Sequence, residues 1–499
     1  MAEHLIEIEA AKTDLLDCAA YLAENIKSAD GHAAAIQEIV PRYLEKGAVD
    51  LAAELANTVD DPFTRDRLLV RVAEKCAALG DDEYAFQLIE AIEENSTRDE
   101  ARERIAAQKS AQGDYAKAFE IANGLPHADY AFAEIAARQA AGGDEAAALK
   151  TIEKIEFPNA KIVALQNLAL LNLQKNEAAK AIEMLDHAVR SASEIEFAEE
   201  KIRALLEVGN HYLEAKQNGK AIEIFDQAKT SAETLDNVHR DLFLGGIALG
   251  FLQAGSLELA DRTLDLVADN VQMSSTLVGF AREFWKRDEK SEALETLEEG
   301  YSILKSQRDR EVRDSKARFA IWAAIAVEFA RFEKPERSLE IAQEIADEGS
   351  QTSALSNIAQ VCAAGNNDDF AQQAVNAIGD DAQKMLALVG ISDVKNKSGA
   401  TEAAVKFLTE AETLAETVEQ LALRSAALNE LARRFHDFGD ADKMRELVIR
   451  NLDTIFNIRD ESNRAVALAQ MSDFYRAGGI EIIGTEREML LRIIAKSIG

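Results

Sequence analysis

Residues able to do chemistry are few in this chain and stand far apart. Seven histidines, His4, His32, His127, His187, His211, His239 and His436, are scattered over 499 residues. No two share the i,i+3 or i,i+4 spacing that sets two imidazoles on one helix face for a metal, and no HExxH occurs. Two acidic stretches, "GDDEY" at 80–84 and "NNDDF" at 366–370, have the composition of a cation loop. Each falls at a turn between two helical patterns, where Asp and Asn side chains cap the next helix by accepting its first N–H groups. "QNGK" at 217–220 ends in Gly-Lys but lacks the glycine-rich stretch before it and the Ser or Thr after it that a phosphate loop needs. No GxSxG, CxxC or dinucleotide fingerprint is present. The chain is therefore expected to be no enzyme, with no catalytic residue, no metal ligand and no cofactor.

Cys18, Cys76 and Cys362 are too dispersed for a disulfide framework and read as small buried apolar residues. The formal charge of −33, from 56 Lys and Arg against 89 Asp and Glu, repels phosphate backbones. Nucleic acid and anionic membranes are thus excluded as expected partners. The opening "MAEHLIEIEA" has neither a cationic start nor an apolar core, and no run approaches 18 apolar residues. A cytoplasmic location is expected.

The elements that would have to position a site are repetitive. Apolar residues make up 47% of the chain but aromatics only 6%, and strand-like alternation is missing. A small residue recurs as a marker at Val40, Ala73, Ala106, Ala136, Ala169, Gly209, Ala248, Ala281, Ala326, Ala359, Ser392, Ala432 and Ser472. The residue before each marker is apolar, from Ile39 to Met471. Ala stands twelve residues after it in ten cases, and Gly seven after it in eight. This is the pattern of an antiparallel helix hairpin, with the Gly as left-handed C-cap of the first helix. Asp81, Asp114, Asp144 and Asp440 follow such a Gly and are expected to cap the second helix. Marker spacings run from 30 to 45 residues, the longer units gaining about two helical turns. One hairpin cannot bury its apolar face alone, so neighbours stack into an α-solenoid.

The stretch from Leu205 to Ala228, with Leu205, Val208, Gly209, Tyr212, Ala221, Phe225 and Ala228, resembles the tetratricopeptide (TPR) repeat. Leu165, Leu168, Ala169, Ala181, Leu185 and Ala188 repeat the pattern, and Trp322, Ile325, Ala326 and Phe329 carry its aromatic form. The closing prolines are mostly absent, so the likeness is to a degenerate, TPR-like array. The resemblance implies an all-α, right-handed superhelix of about thirteen hairpins over residues 30–484. Residues 1–29 then read as an N-terminal capping helix and 485–499 as its C-terminal counterpart, opened by a capping box of Thr485 and Glu488. Pro41 is expected to kink or restart its helix.

By the same resemblance, first helices line a concave groove. Its first half would be small and apolar, with Ala77, Ala133 and Ala140 among its residues. The contact surface is expected from Leu206 to Arg331, carried by Leu206, Asn210, Leu213, Leu249, Leu252, Arg282, Trp285, Val327 and Arg331. Arg433 and His436 follow in the same phase. The family's peptide clamp needs a Lys where Leu206 stands, so capture of a chaperone carboxylate is not expected. The function expected is a scaffold that binds a peptide or helix of a partner protein. The alternatives are an all-α enzyme or small-molecule sensor with an enclosed pocket, and a self-assembling structural protein. Lys305, Arg308, Arg310, Arg313, Lys316 and Arg318 make 299–318 the most basic stretch, a candidate for self-association.

Overall fold

The computed structural model describes residues 4–306 and 315–498, and among them every regular element is a helix. The chain opens with α1 (Ile8–Ala11) and α2 (Leu15–Glu24). It continues with α3 (Ala29–Lys46) and α4 (Val49–Asn57), α5 (Pro62–Leu79) and α6 (Asp82–Glu90), α7 (Asn95–Ala111) and α8 (Tyr115–Ala122). Next come α9 (Asp129–Ala141) and α10 (Glu145–Ile152), α11 (Pro158–Gln174) and α12 (Ala178–Ser193), α13 (Ala198–Glu214) and α14 (Asn218–Glu233). They are followed by α15 (Arg240–Gln253) and α16 (Leu257–Leu264), α17 (Asn270–Lys286) and α18 (Lys290–Ser306), α19 (Ser315–Arg331) and α20 (Pro335–Gln343). The last are α21 (Glu348–Ala364) and α22 (Asp368–Ala377), α23 (Asp381–Lys397) and α24 (Thr401–Ala415), α25 (Leu421–Asp437) and α26 (Ala441–Asn457), then α27 (Glu461–Gly478) and α28 (Gly484–Ile498). The pairs α3–α4 and α5–α6, and each pair from α9–α10 to α25–α26, pack as hairpins. The fold is an all-α, TPR-like helical repeat. No helix among the described residues is long and apolar enough to cross a membrane.

One backbone event makes every hairpin. The expected corner glycines, Gly47, Gly80, Gly113, Gly143, Gly255, Gly399, Gly439 and Gly479, all take positive φ, between 59° and 93°. The non-glycine residues with positive φ are Asn176, Lys216, Asp288, Glu333 and Asn366, at φ of 56–63°. Each of these five stands seven residues after its marker, so all thirteen corners are left-handed. At Gly80 the Gly80 N–H donates to the Ala77 carbonyl at 3.2 Å and the Asp81 N–H to that of Cys76 at 3.0 Å. At Glu333 the bonds run to Ala330 at 3.2 Å and from Lys334 to Phe329 at 2.8 Å. This double bond pattern satisfies the last carbonyls of the helix and turns the chain back. Asp81, Asp114, Asp144 and Asp440 then cap the second helices through Tyr84, Lys117, Ala147 and Lys443 N–H groups.

The residues before the markers form the spine of the core, none more than 2% exposed, while the ten alanines twelve after the markers are fully buried. Where Ser338 replaces that alanine, its hydroxyl donates to the carbonyl of the marker Ala326 at 2.7 Å, so the two positions touch across the hairpin.

Two compact units form, Met1–Gln108 with Ile378–Gly499, and Lys109–Ala377. In the first, the chain ends depart from the expected caps. Described residues 4–28 hold two helices, and α2 does not cover a free end: it packs along α27, which also packs on α3. It thereby takes the place beside α27 that a second helix takes in other hairpins. α28 begins at Gly484 and packs on α26 instead. The last hairpin is thus assembled from both ends of the chain. A polar seam joins them: Arg42 donates through Nε and Nη2 to both Asp473 oxygens at 2.9 and 2.8 Å, and Arg476 pairs with Glu45. Tyr43 donates to Asp17 at 2.7 Å and Lys46 to Asp14 at 2.8 Å.

Two local expectations are corrected. α3 runs on through Pro41 without a restart, and the Arg42 guanidinium donates to the Glu38 carbonyl within the same stretch. The bond that closes back at the start of α28 is made by Glu486, which accepts from the Ile483 N–H at 3.0 Å, not by Glu488. Glu486 is 1% exposed and held there by Arg445 at 2.6 Å, a tertiary tie that sets the helix start two residues earlier.

Nothing lies within 4 Å of a Cβ built on Gly80, so Gly80→Ala isolates the backbone strain and is expected to cost about 1 kcal/mol. Glu333→Gly removes the same strain and is expected to raise the thermal midpoint, which differential scanning calorimetry of both variants checks. Arg42→Asp is expected to destabilise by on the order of 2 kcal/mol. The swap Arg42→Asp with Asp473→Arg is expected to recover most of that loss in a double-mutant cycle.

Candidate peptide-binding groove

In the unit Lys109–Ala377 the first helices α13, α15 and α17 pack side by side. Their spacing is set from behind by one ring. Phe225 of α14 is fully buried and lies between Gly209 of α13 and Gly250 of α15. A Cβ on Gly209 would sit 2.4 Å from the ring, and one on Gly250 2.7 Å from it. Phe251 meets the same ring edge-on at 5.9 Å. Both glycines are there for close approach, since α13 and α15 could not otherwise grip a phenyl ring. A polar tie adds to this: Tyr212 and Lys220 both donate to Asp186 of α12, Lys220 at 2.6 Å. Burial acts to raise the Asp186 pKa, but these two hydrogen bonds outweigh it and hold the carboxyl below its ordinary range.

Beside this contact α13, α15 and α17, with Asn218 of α14, line an open recess of about 600 Å³. Leu206, Asn210, Leu213 and Leu249 of the expected residues line it together. Leu206 leans over Gly246 of the next helix and Leu249 over Gly279 of α17, where a Cβ would stand 3.7 and 3.1 Å from their methyl carbons. The floor is thus leucine laid on glycine. Its polar rim was not anticipated: Glu214, Gln253 and Lys286, with Glu283 beside them. The first three stand five residues after Gly209, Ala248 and Ala281, a phase readable once the markers are aligned.

The other expected residues lie elsewhere. Leu252 is 1% and Val327 8% exposed, so both belong to the core and offer no contact surface. The Leu252 carbonyl accepts from Arg287 Nη2 at 2.6 Å, a sign of how closely α17 closes over that end of α15. Trp285 is stacked flat on Phe332 at 4.4 Å with Lys290 4.9 Å from its ring, which makes it a support of the hairpin end. Arg282 and Arg331 come together on one buried carboxylate, Glu328, with Arg282 at 2.7 Å. Ala77, Ala133 and Ala140 are buried, so the small-residue half is packed inward at those positions.

Of the basic stretch, Arg308, Arg310 and Arg313 lie outside the described residues. Lys305 is paired with Glu344 at 2.8 Å, and Arg318 is buried and donates to the Leu304 carbonyl at 3.0 Å. Both are thus tied within the chain, Lys305 at the surface and Arg318 inside. Cys76 and Cys362 are buried, and burial pushes their thiols up to about 11, away from nucleophile chemistry.

The unit formed by Met1–Gln108 and Ile378–Gly499 has a recess of its own, about 560 Å³, lined by Leu386, Leu423, Ala426, Arg433 and Phe474 among others. His436 does not share it: its ring abuts Gly478, where a Cβ would lie 2.5 Å from Nε2.

No protein-family model and no curated protein matches the sequence. Among solved structures, Ton1535 from Thermococcus onnurineus NA1 is similar at 16% identity over 71% of this chain and 98% of its own, with a TM-score of 0.26. The apo form of RapI is similar at 12% identity over 78% and 99%, with a TM-score of 0.30. Yeast Tom70 is similar at 14% identity over 90% and 97%, with a TM-score of 0.27.

Because Phe225 fixes the distance between α13 and α15, Gly209→Ala is expected to destabilise by about 1–3 kcal/mol through overpacking. Adding Phe225→Leu should return part of that loss, which thermal unfolding of the single and double variants checks.

Proposed function

We propose that the chain is a non-enzymatic scaffold that binds a helical or extended segment of a partner protein in the recess of α13, α15 and α17. The observation that carries this reading is the convergence of Leu206, Leu213 and Leu249 from successive helices, with the amide of Asn210 and a polar rim, around one open concavity. Apolar floors with a few polar groups at the edge suit peptide side chains and backbone together. The rim offers Lys286 beside two carboxylates, Glu214 and Glu283. In the neighbouring Arg282, Glu328 and Arg331 group the charges satisfy one another, as structural ion pairs do. A cytoplasmic setting is part of the proposal, supported by three free, buried cysteines.

The reading is tested by a tagged pull-down from source lysate in low and moderate salt, read by mass spectrometry. A stoichiometric partner is expected, lost by at least tenfold in Leu206→Glu with Leu213→Glu and Leu249→Glu. Trp285→Ala should keep the partner while lowering the thermal midpoint. An empty pull-down at both salts, or a partner retained by the triple variant, would contradict it.

A further inference from the structure

Beyond the recess, the unit Lys109–Ala377 leaves five large apolar side chains exposed at or near the starts of α9, α11, α13 and α15. They are Tyr130, Phe157, Phe197, Val238 and Leu242, with 48%, 44%, 71%, 69% and 51% of their surface open. Single exposed apolar residues are ordinary, but hydrogen bonds place these helix starts side by side. The Asp129 carboxylate accepts from the Glu156 and Phe157 N–H groups at 2.7 and 3.1 Å. Asn159 donates to Glu200 at 2.8 Å, and Asn237 and His239 reach Glu199 at 2.7 and 3.0 Å. The Tyr130 and Phe157 rings meet edge-on at 6.1 Å. The five therefore stand in a row of neighbouring helix starts along one edge of the repeat, and exposed apolar residues grouped in this way mark an interaction surface.

Charge says what covers it. Exposed carboxylates stand next to the residues of this row in the chain: Glu156 before Phe157, Glu196 before Phe197, Asp236 two before Val238. Of the nearby cations, Lys154 lies over the Phe119 ring at 4.4 Å, Arg240 pairs with Asp241 at 3.0 Å and Lys201 donates to the Ser193 carbonyl at 3.4 Å, while Lys161 stands one turn after Phe157. A second copy would bring another −33 against this rim, and nucleic acid or anionic lipid would be repelled in the same way. We propose that this row is a second docking surface, separate from the recess, for an amphipathic helix of a partner protein with Lys or Arg flanking its apolar face.

The test uses the full chain and a labelled 18-residue Leu/Lys amphipathic helix, followed by fluorescence anisotropy, with a Leu/Glu helix as counterpart. The Leu/Lys helix is expected to bind, with affinity falling at least tenfold in Phe197→Ser with Val238→Ser and at least threefold in Glu196→Lys with Asp236→Lys. Leu206→Glu in the recess should leave it unchanged, which separates this surface from the one proposed above. No binding of the Leu/Lys helix, equal affinity in the row variants, or equal binding of the Leu/Glu helix would overturn the proposal. So would a concentration-dependent mass of the native chain that Phe197→Ser with Val238→Ser abolishes, since a second copy would then be the occupant.

Discussion

A residue forced into the left-handed region, seven positions after a small buried one, is the constraint on which the structure rests. It ends each first helix at a fixed phase, so the residue before the marker faces the core and, wherever the second helix packs back on the first, the position twelve after it returns across the hairpin. Were the corner to slip by one residue, the second helix would rotate by about 100° and its alanine stripe would leave the interface. Eight corners meet the demand with glycine. Asn176, Asn366 and Asp288 meet it with a short polar side chain that tolerates the region, whereas Lys216 and Glu333 bear strain of about 1–2 kcal/mol each. Packing holds such a residue in place. The residues around Lys216 make the point: Tyr212 is tied to Asp186, and Phe225 is clamped between two glycines.

The same logic accounts for the chain ends. A terminal hairpin has one face with no neighbour, and an apolar face left open is a site for unwanted association. In the unit formed by Met1–Gln108 and Ile378–Gly499, α2 and α27 resolve this for each other, and α3 ties to both: Arg42 to Asp473 of α27 through two parallel hydrogen bonds, Tyr43 and Lys46 to Asp17 and Asp14 at the start of α2. The buried Glu486, paired with Arg445, then holds α28 against α26. The faces of α2 and α27 that pack together are thereby covered by each other.

How much of this was legible in the sequence depends on the range of the interaction. The corner glycines and the four Asp caps could be read directly, since each acts within a few residues of itself. Lys216 and Glu333 could not be read as corners from propensity, because nothing local in a Lys or Glu asks for positive φ; alignment to the markers is what betrays them. The packing of α27 on α2 and α3 was hidden, as its seam joins Arg42 of α3 to a residue 431 positions away. In the recess, Leu206, Asn210, Leu213 and Leu249 followed from helical phase. Leu252 shares the phase of Leu213 yet is buried, because α17 closes over it more tightly than α15 closes over Leu213. Phase alone finds the face of a helix, and the neighbouring helix decides which part of that face stays open.

The central claim is that, in the unit formed by Met1–Gln108 and Ile378–Gly499, the two ends of the chain complete one hairpin together. Hydrogen exchange of the full chain, read by mass spectrometry, tests it most directly. The account predicts that residues 15–24 exchange as slowly as residues 461–478, and that Asp473→Arg speeds both segments together while leaving the unit Lys109–Ala377 unchanged. Rapid exchange of residues 15–24, with residues 461–478 fully protected and indifferent to that substitution, would contradict it.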